Sequence, residues 1–286
     1  MQPKPEWLKI KNQSGVNYAA VNNILNELRL NTVCSEASCP NSQECFSRKT
    51  ATFLILGKYC TRSCGFCGVS RKTESLPLPD PTEPERIAEA IVKLNLRHAV
   101  ITSVTRDDLQ DGGASHFVKT VTAIKKANHE ATVEVLIPDF KGEITSLETV
   151  ASFKPDVIAH NMETVAELYE NVRPQADYRQ SLSLLASVKK INPKIYTKSG
   201  FMTGLGETEK QIDKLLFDLK TAECDFLTVG QYLPPSKNHF PLFEYTTPEA
   251  FDRIKEKALK IGFKYVAAGP LVRSSYRADE AFNSNY

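Results

Sequence analysis

A chain of 286 residues with 41% hydrophobic and 24% charged residues can bury a core of respectable size, and its 36 Lys and Arg against 34 Asp and Glu leave a formal charge of only +2. That balance excludes disorder by composition and any role carried by a dedicated basic nucleic-acid surface. No apolar run approaches the ~20 residues that span a bilayer. The start MQPKPEWLKI has neither the apolar core of a signal peptide nor the Arg/Ser richness of a transit peptide. The expectation is a cytoplasmic protein with no membrane and no nucleic-acid partner.

Residues 1–50 read as an N-terminal extension with one amphipathic helix, in which Val21, Ile24, Leu25 and Leu28 follow the i, i+3, i+4, i+7 spacing of a single buried face. The same segment holds Cys34, Cys39 and Cys45. From Ala51 onward β-rich runs alternate with helical patterns. The runs are ATFLIL (51–56), HAVITSV (98–104), TVEVLIP (132–138), DVIAH (156–160), KIYTKSG (194–200) and FLTVGQY (226–232). Between them, Ile87, Ile91 and Leu94 follow the capping-box pattern Thr82-x-x-Glu85, and Ile212, Leu215, Leu216 and Leu219 follow Thr208-x-x-Gln211. Phe117, Val121 and Ile124 mark another helix, as do Leu184, Leu185, Val188 and Ile191. Strict alternation of this kind implies a parallel sheet with right-handed crossovers. Six units fall short of the eight that close a full barrel. The fold class is therefore read as α/β, a partial (β/α)6 TIM-like barrel over 51–235, with a doubly wound open sheet as the alternative. Residues 236–286 form a C-terminal extension with a helix at 248–262, a strand-like KYVAAGP and the polar RSSYRADEAF. The two extensions are expected to cover the active face.

Six of the seven cysteines, Cys34 to Cys67, fall within 34 residues. An odd count in a chain without an export signal, and long enough to need no stapling, points to metal or cluster ligation rather than to disulfides. CTRSCGFCG follows the first strand, at the face where barrels carry their chemistry. Its spacing, Cys60-x3-Cys64-x2-Cys67, lets one loop hold three irons of a cubane cluster and leave the fourth open. Structural zinc asks for four ligands in paired Cys-x2-4-Cys halves, so a three-thiol zinc knob is the plainer alternative. Upstream, Cys34-x4-Cys39-x5-Cys45 matches neither a zinc ribbon nor a ferredoxin run and reads as a second three-thiolate site needing one more ligand. Cys224 is one candidate, although its place on the lead-in to the last barrel strand suits a buried structural thiol. The five histidines show no metal-ligand spacing, and His98, beside a strand, reads as packed.

The Cys60 to Cys67 loop, with Phe66 before its last thiol, resembles that of the radical S-adenosylmethionine (SAM) enzymes. The two cysteine groups together with RSSY at Arg273 to Tyr276 resemble the lipoyl synthases in particular. SVTRDDLQDGGASHF (103–117), HNMETV (160–165), YRQSL (178–182) and SGFMTGLGET (199–208) extend the similarity across nearly the whole chain. The resemblance implies a 4Fe-4S cluster on Cys60, Cys64 and Cys67 whose open iron chelates SAM, and an auxiliary 4Fe-4S cluster on Cys34, Cys39, Cys45 and Ser274. It implies insertion of two sulfur atoms at C6 and C8 of a protein-bound octanoyl-lysine, with the auxiliary cluster as sulfur donor and no side-chain acid or base as catalyst. Phe66, Asp107, Asn161, Glu163 and Arg179 are candidate cofactor contacts: by type, Asp107 for ligand donors, Asn161 and Glu163 for a ribose, Arg179 or Lys198 for a carboxylate. The implied partners are octanoylated lipoyl-carrier domains (the 2-oxoacid dehydrogenase acyltransferase subunit and the glycine cleavage carrier protein), a reducing electron-transfer protein and an iron-sulfur cluster carrier. Lys58 and Phe46 depart from the family, where an acidic or amide residue and a tryptophan are more usual. A non-enzymatic metal or iron-sulfur carrier is the rival class, which zinc content without SAM cleavage would mark.

Overall fold

Strands and helices alternate through the computed structural model, which describes residues 3–9, 16–37, 39–48, 50–72 and 74–283. The chain divides into two units, Lys11–Arg62 with Gly68–Ile158, and Met1–Ile10 with Ser63–Cys67 and Ala159–Tyr286. The first is called the N-terminal unit and the second the C-terminal unit.

The N-terminal unit opens with α1 (Val16–Glu27), whose face of Val21 and Leu25 is buried as its spacing predicts. Two short helices, α2 (Val33–Glu36) and α3 (Ser42–Ser47), carry Cys34 and Cys45, with Cys39 in the stretch between them. Then follow β1 (Thr52–Ile55), α4 (Glu83–Lys93), β2 (His98–Ser103), α5 (Ala114–Ala127), β3 (Thr132–Leu136) and α6 (Ile144–Ser152). β1, β2 and β3 pair in parallel, with Thr52 opposite Val100 and Val100 opposite Glu134. All of β1 and most of β2 and β3 are buried, as continuous apolar runs in a helix-covered parallel sheet should be. His98 is packed as expected: its Nδ1 lies 2.6 Å from the Thr132 hydroxyl, and its ring stands beside buried Glu134. The start of α4 corrects the sequence reading. Thr82 makes no capping bond into the helix; its amide and its hydroxyl both donate to Asp80, at 2.9 and 2.8 Å, and proline in the first turn sets the start instead.

β4 (Val157–Ala159) lies where the units divide. The C-terminal unit continues with α7 (Tyr169–Val172), α8 (Tyr178–Ile191), β5 (Tyr196–Thr203), α9 (Glu209–Thr221), β6 (Phe226–Gln231), α10 (Pro248–Ile261), β7 (Tyr265–Gly269) and α11 (Glu280–Asn283). The Thr208 capping box forms as predicted, with both of its reciprocal bonds present. Leu215, Leu216 and Leu219 of α9 are fully buried against Leu227, Val229 and Phe251, each contributing roughly 1.5–3 kcal/mol. Cys224 belongs to this core and donates to the Phe226 carbonyl, so it is the structural thiol that its position suggested. The strand-like run near the C-terminus is β7, parallel to β6 with Tyr265 opposite Phe226. Strand order in the sheet is chain order, β1 to β7, which makes the class a parallel α/β sheet of partial-barrel type. Among the described residues no helix is long and apolar enough to cross a membrane.

Candidate cluster and cofactor site

The segment that carries the upstream thiols is tied to the start of β1. Thr32 caps α2 by accepting the Ser35 amide at 3.2 Å and bridges Phe53 of β1, while the Leu54 amide donates to Asn31 at 2.9 Å. The segment turns on itself: the Cys39 amide donates to the Cys34 carbonyl at 3.2 Å, and the Cys45 carbonyl accepts the Thr50 amide at 2.8 Å and the Thr50 hydroxyl at 2.9 Å. Cys34 is buried and Cys39 and Cys45 are half-buried, and among the described residues no cysteine is in a disulfide. Burial pushes Cys34 up to about 12, with Cys39 and Cys45 both adding to the rise. Cys45 is pushed up to about 11, again first by burial and then by Cys39. Ligation by these thiols must displace protons. Phe46, a departure from the family, is buried with its ring 5.5 Å from that of Tyr18. Lys58, the other departure, is exposed over the Tyr59 ring.

Cys60 also belongs to the N-terminal unit. Its amide donates to the Ser70 carbonyl and its carbonyl accepts the Lys72 amide, at 2.9 and 3.1 Å. Its sulfur accepts the Arg62 amide at 3.4 Å. Arg62 is itself buried and forks onto Asp107 and Asp139, so both oxygens of the predicted contact Asp107 are engaged by a cation that sequence reasoning passed over. At the entry to the loop, Leu56 sits in the left-handed region at φ +69°. Its amide donates to Glu83 at 2.9 Å, its carbonyl accepts from Arg106 at 3.3 Å, and Glu83 is held by His116 at 2.8 Å.

Cys64 and Cys67 lie in the C-terminal unit, where the Cys67 amide donates to the Cys64 carbonyl at 3.1 Å. Gly65 is pinned on both sides, its amide to Val172 at 2.9 Å and its carbonyl by Phe240 at 2.8 Å. The Gln175 side chain accepts from both the amide and the hydroxyl of Ser63. Phe66 packs with Phe240 and Met202 against Val172, Leu205 and Tyr232. Among the described residues no three His, Cys, Asp or Glu side chains meet around a single ion; in a cubane each thiolate takes an iron of its own, and no such meeting is required.

Further along the same unit, Asn161, Glu163 and Ser274 come together. The Ser274 hydroxyl donates to Asn161 Oδ1 at 2.9 Å, and Asn161 Nδ2 donates to Glu163 Oε1 at 3.0 Å. Glu163 holds φ +66° while its backbone pairs with β5, its amide to Gly200 and its carbonyl from Met202. Gly200 makes room for this group, because a Cβ there would stand 2.4 Å from the Thr228 hydroxyl and 3.2 Å from Asn161 Oδ1. Loss of water pushes the Glu163 carboxyl above its ordinary range, and Arg173 and Asn161 pull against the rise. Arg173, absent from the sequence reading, donates to the Asn161 carbonyl at 2.8 Å and to the Tyr169 hydroxyl at 3.0 Å. Arg179 stands exposed in the first turn of α8, and Lys198 is buried on β5.

The profile of the Radical SAM superfamily matches residues 54–219. Lipoyl synthase of Alkaliphilus metalliredigens (strain QYMF) is 57% identical over 282 residues, covering 99% of this chain and 97% of that protein. Lipoyl synthase of Caldanaerobacter subterraneus subsp. tengcongensis is 55% identical, covering 96% of each. Among solved structures, methylornithine synthase (PylB) superposes with a TM-score of 0.52 at 15% identity over 89% of this chain and 84% of that one. The FeFe-hydrogenase maturase HydG from Carboxydothermus hydrogenoformans gives 0.59 at 14% identity, over 80% of this chain and 65% of that one. At such identities the structures share the fold alone.

Proposed function

The chain belongs to the lipoyl synthase family of the radical SAM superfamily, and from that premise we propose that Cys60, Cys64 and Cys67 hold the family's 4Fe-4S cluster with its SAM, while Cys34, Cys39, Cys45 and Ser274 hold a second, auxiliary cluster. The activity is the insertion of two sulfur atoms at C6 and C8 of an octanoyl chain borne on a lysine of a carrier protein. When bound, the clusters and SAM supply the electron, the hydrogen abstraction and the sulfur, which no side chain supplies at neutral pH. The chain's own residues bind, orient and exclude water.

Asn161 and Glu163 offer an amide and a carboxylate to ribose hydroxyls, fixed from behind by Arg173 and by the β5 backbone. Phe66 contributes an apolar wall from its packing with Phe240 and Met202. Lys198 and Arg179 are the cations assigned to a carboxylate, and Asp107 to the loop and its ligand together. Ser274 is the hard ligand of the auxiliary set. An alkoxide is protonated more easily than a thiolate, so Ser274 would hold its iron less firmly than the three cysteines would hold theirs.

In this reading residues 1–50 and 236–286 bring the auxiliary ligands to the barrel strands of 51–235, and the second segment also adds β7 to the sheet. The octanoylated substrates are the acyltransferase subunit of 2-oxoacid dehydrogenases and the glycine cleavage carrier protein, met in the cytoplasm. A reducing electron-transfer protein and an iron-sulfur carrier serve the clusters.

The observation that carries the two-cluster reading is the short segment that holds Cys34, Cys39 and Cys45, closed by the Cys39–Cys34 and Thr50–Cys45 backbone bonds and tied to β1 through Thr32, apart in sequence from the Cys60 loop. Iron and acid-labile sulfide per chain after anaerobic reconstitution test it. About eight irons are expected, falling to about four in either Cys34/Cys39/Cys45→Ala or Cys60/Cys64/Cys67→Ala, as two independent four-iron clusters require. Four or fewer in the wild type, or zinc in place of iron, would overturn it.

A further inference from the structure

Arg62 lies between the first two thiols of the loop, with 7% of its surface exposed. Its Nε and Nη2 donate to Asp107 Oδ2 and Oδ1 at 2.7 and 3.0 Å. Its Nη1 and Nη2 donate to Asp139 Oδ2 and Oδ1 at 2.8 and 2.7 Å. One guanidinium therefore makes two bidentate pairs with four of its five N–H groups, a geometry that an ammonium does not reproduce.

Both acids are fixed in turn. The Asp107 amide donates to the Thr61 hydroxyl at 3.1 Å, and that hydroxyl donates to Thr105 at 2.9 Å. Asp139 accepts the Lys141 amide at 3.0 Å, and Lys141 Nζ donates back to the Asp107 carbonyl at 3.1 Å. The segments after β2 and β3 thus grip the side chain of Arg62 while its backbone amide points at the Cys60 sulfur, 3.4 Å away. Hydrogen bonds to the sulfurs, and charge close to them, set the potential of an iron-sulfur cluster.

We propose that Arg62 is a positioning residue for the cluster on Cys60, Cys64 and Cys67: Asp107 and Asp139 lock its side chain so that its own amide donates to the Cys60 sulfur, and this bond raises the potential at which the cluster accepts its electron. The inference rests on the cluster assignment made above. A donor to the thiolate stabilises the extra negative charge of the reduced form, so loosening it moves the potential to more negative values. A buried ion pair with only a structural role would change thermal stability and leave the potential alone.

The experiment is a potentiometric titration, followed by electron paramagnetic resonance, on Cys34/Cys39/Cys45→Ala protein carrying the Cys60 cluster alone. Iron near four per chain in that background checks the assignment first; absence of iron would overturn the assignment, and the inference with it. Arg62→Lys keeps the charge but does not span both carboxylates, and Asp139→Asn removes a negative charge and half of one fork. If bond geometry governs, both variants titrate at more negative potential than the parent with iron unchanged. If only charge matters, Arg62→Lys matches the parent and Asp139→Asn moves to more positive potential, which overturns the proposal. Should Arg62→Lys fail to fold, the direction of the Asp139→Asn shift decides alone: more negative supports the proposal, and unchanged or more positive rejects it.

Discussion

Glu163 and Arg173 show how much the proposed cofactor site asks of single residues. Glu163 keeps a left-handed backbone at φ +66°, which costs a non-glycine residue roughly 1–2 kcal/mol, and carries a carboxyl that desolvation pushes up. A raised carboxyl pKa favours the folded state below its unfolded value and opposes it as pH climbs through the folded one. Glu163→Gln should therefore leave the unliganded protein at least as stable as the wild type above neutral pH, a difference that closes as pH falls into the ordinary carboxylate range; melting curves across that range read it. The same variant should bind SAM about tenfold more weakly or worse, since a hydrogen bond to a charged group is worth ~1.5–3 kcal/mol. Unchanged SAM affinity would remove Glu163 from the cofactor's contacts. Arg173→Met should lower stability by about 2–4 kcal/mol in urea unfolding, because it strips partners from the buried Asn161 and Met162 carbonyls and the Tyr169 hydroxyl. Asn161 and Glu163 were legible from HNMETV at a strand end. Arg173 was not: it follows a four-residue helix with no periodicity to expose it, and the more visible cation, Arg179 of YRQSL, stands exposed in the first turn of α8.

Among elements, the most informative contrast is between two Thr-x-x-acceptor starts that read alike. Thr208 forms its box with Gln211, whereas Thr82 is captured by Asp80 and leaves Glu83 to turn inward onto His116 and the Leu56 amide. A local pattern cannot foresee that a carboxylate two residues upstream outcompetes the helix. Turns against strands were equally hidden, because close approach is a property of two distant segments. Gly113, at φ +92°, is one case: a Cβ there would stand 2.3 Å from Leu56 Cδ1. Gly113→Ala should destabilise the N-terminal unit by about 2–3 kcal/mol, adding overpacking to a left-handed penalty, and an unchanged urea midpoint would count against the Leu56 clamp. Gly230 is the other, since a Cβ there would stand 2.1 Å from the Val272 carbonyl. Gly230→Ala should lift the segment that carries Ser274 off β6, so that reconstituted iron drops from about eight to about four while the far-ultraviolet dichroism of the barrel is kept. Iron staying at the wild-type level would detach Ser274 from the auxiliary site.

At the scale of the whole molecule, the alternation of β-rich runs and helical stripes carried the fold, because a parallel sheet covered by helices has no other way to bury both its faces. What stayed out of reach was the meeting of charges far apart in the chain, such as Arg62 with Asp139, 77 residues on, which the folded segments after β1 and β3 bring about. The cysteine spacings carry the proposed chemistry, and its consequence for stability is testable in one experiment. A group that binds the folded chain and not the unfolded one stabilises it by mass action, and thiolate ligation is at the same time folding free energy. Clusters without shared ligands should contribute independently. Anaerobic chelation of reconstituted wild-type protein should then lower the melting temperature in two steps. Cys34/Cys39/Cys45→Ala should lack one step and Cys60/Cys64/Cys67→Ala the other, and the two losses should add to the wild-type loss within about 0.5 kcal/mol. The step owed to the upstream thiols should come first, and sooner below neutral pH than above it, because Ser274, the proposed fourth ligand, offers an oxygen more readily protonated than a thiolate. A single step abolished by either triple variant would mean that the six thiols build one site, and the division of labour between a cluster that starts the reaction and a cluster that feeds it sulfur would fail.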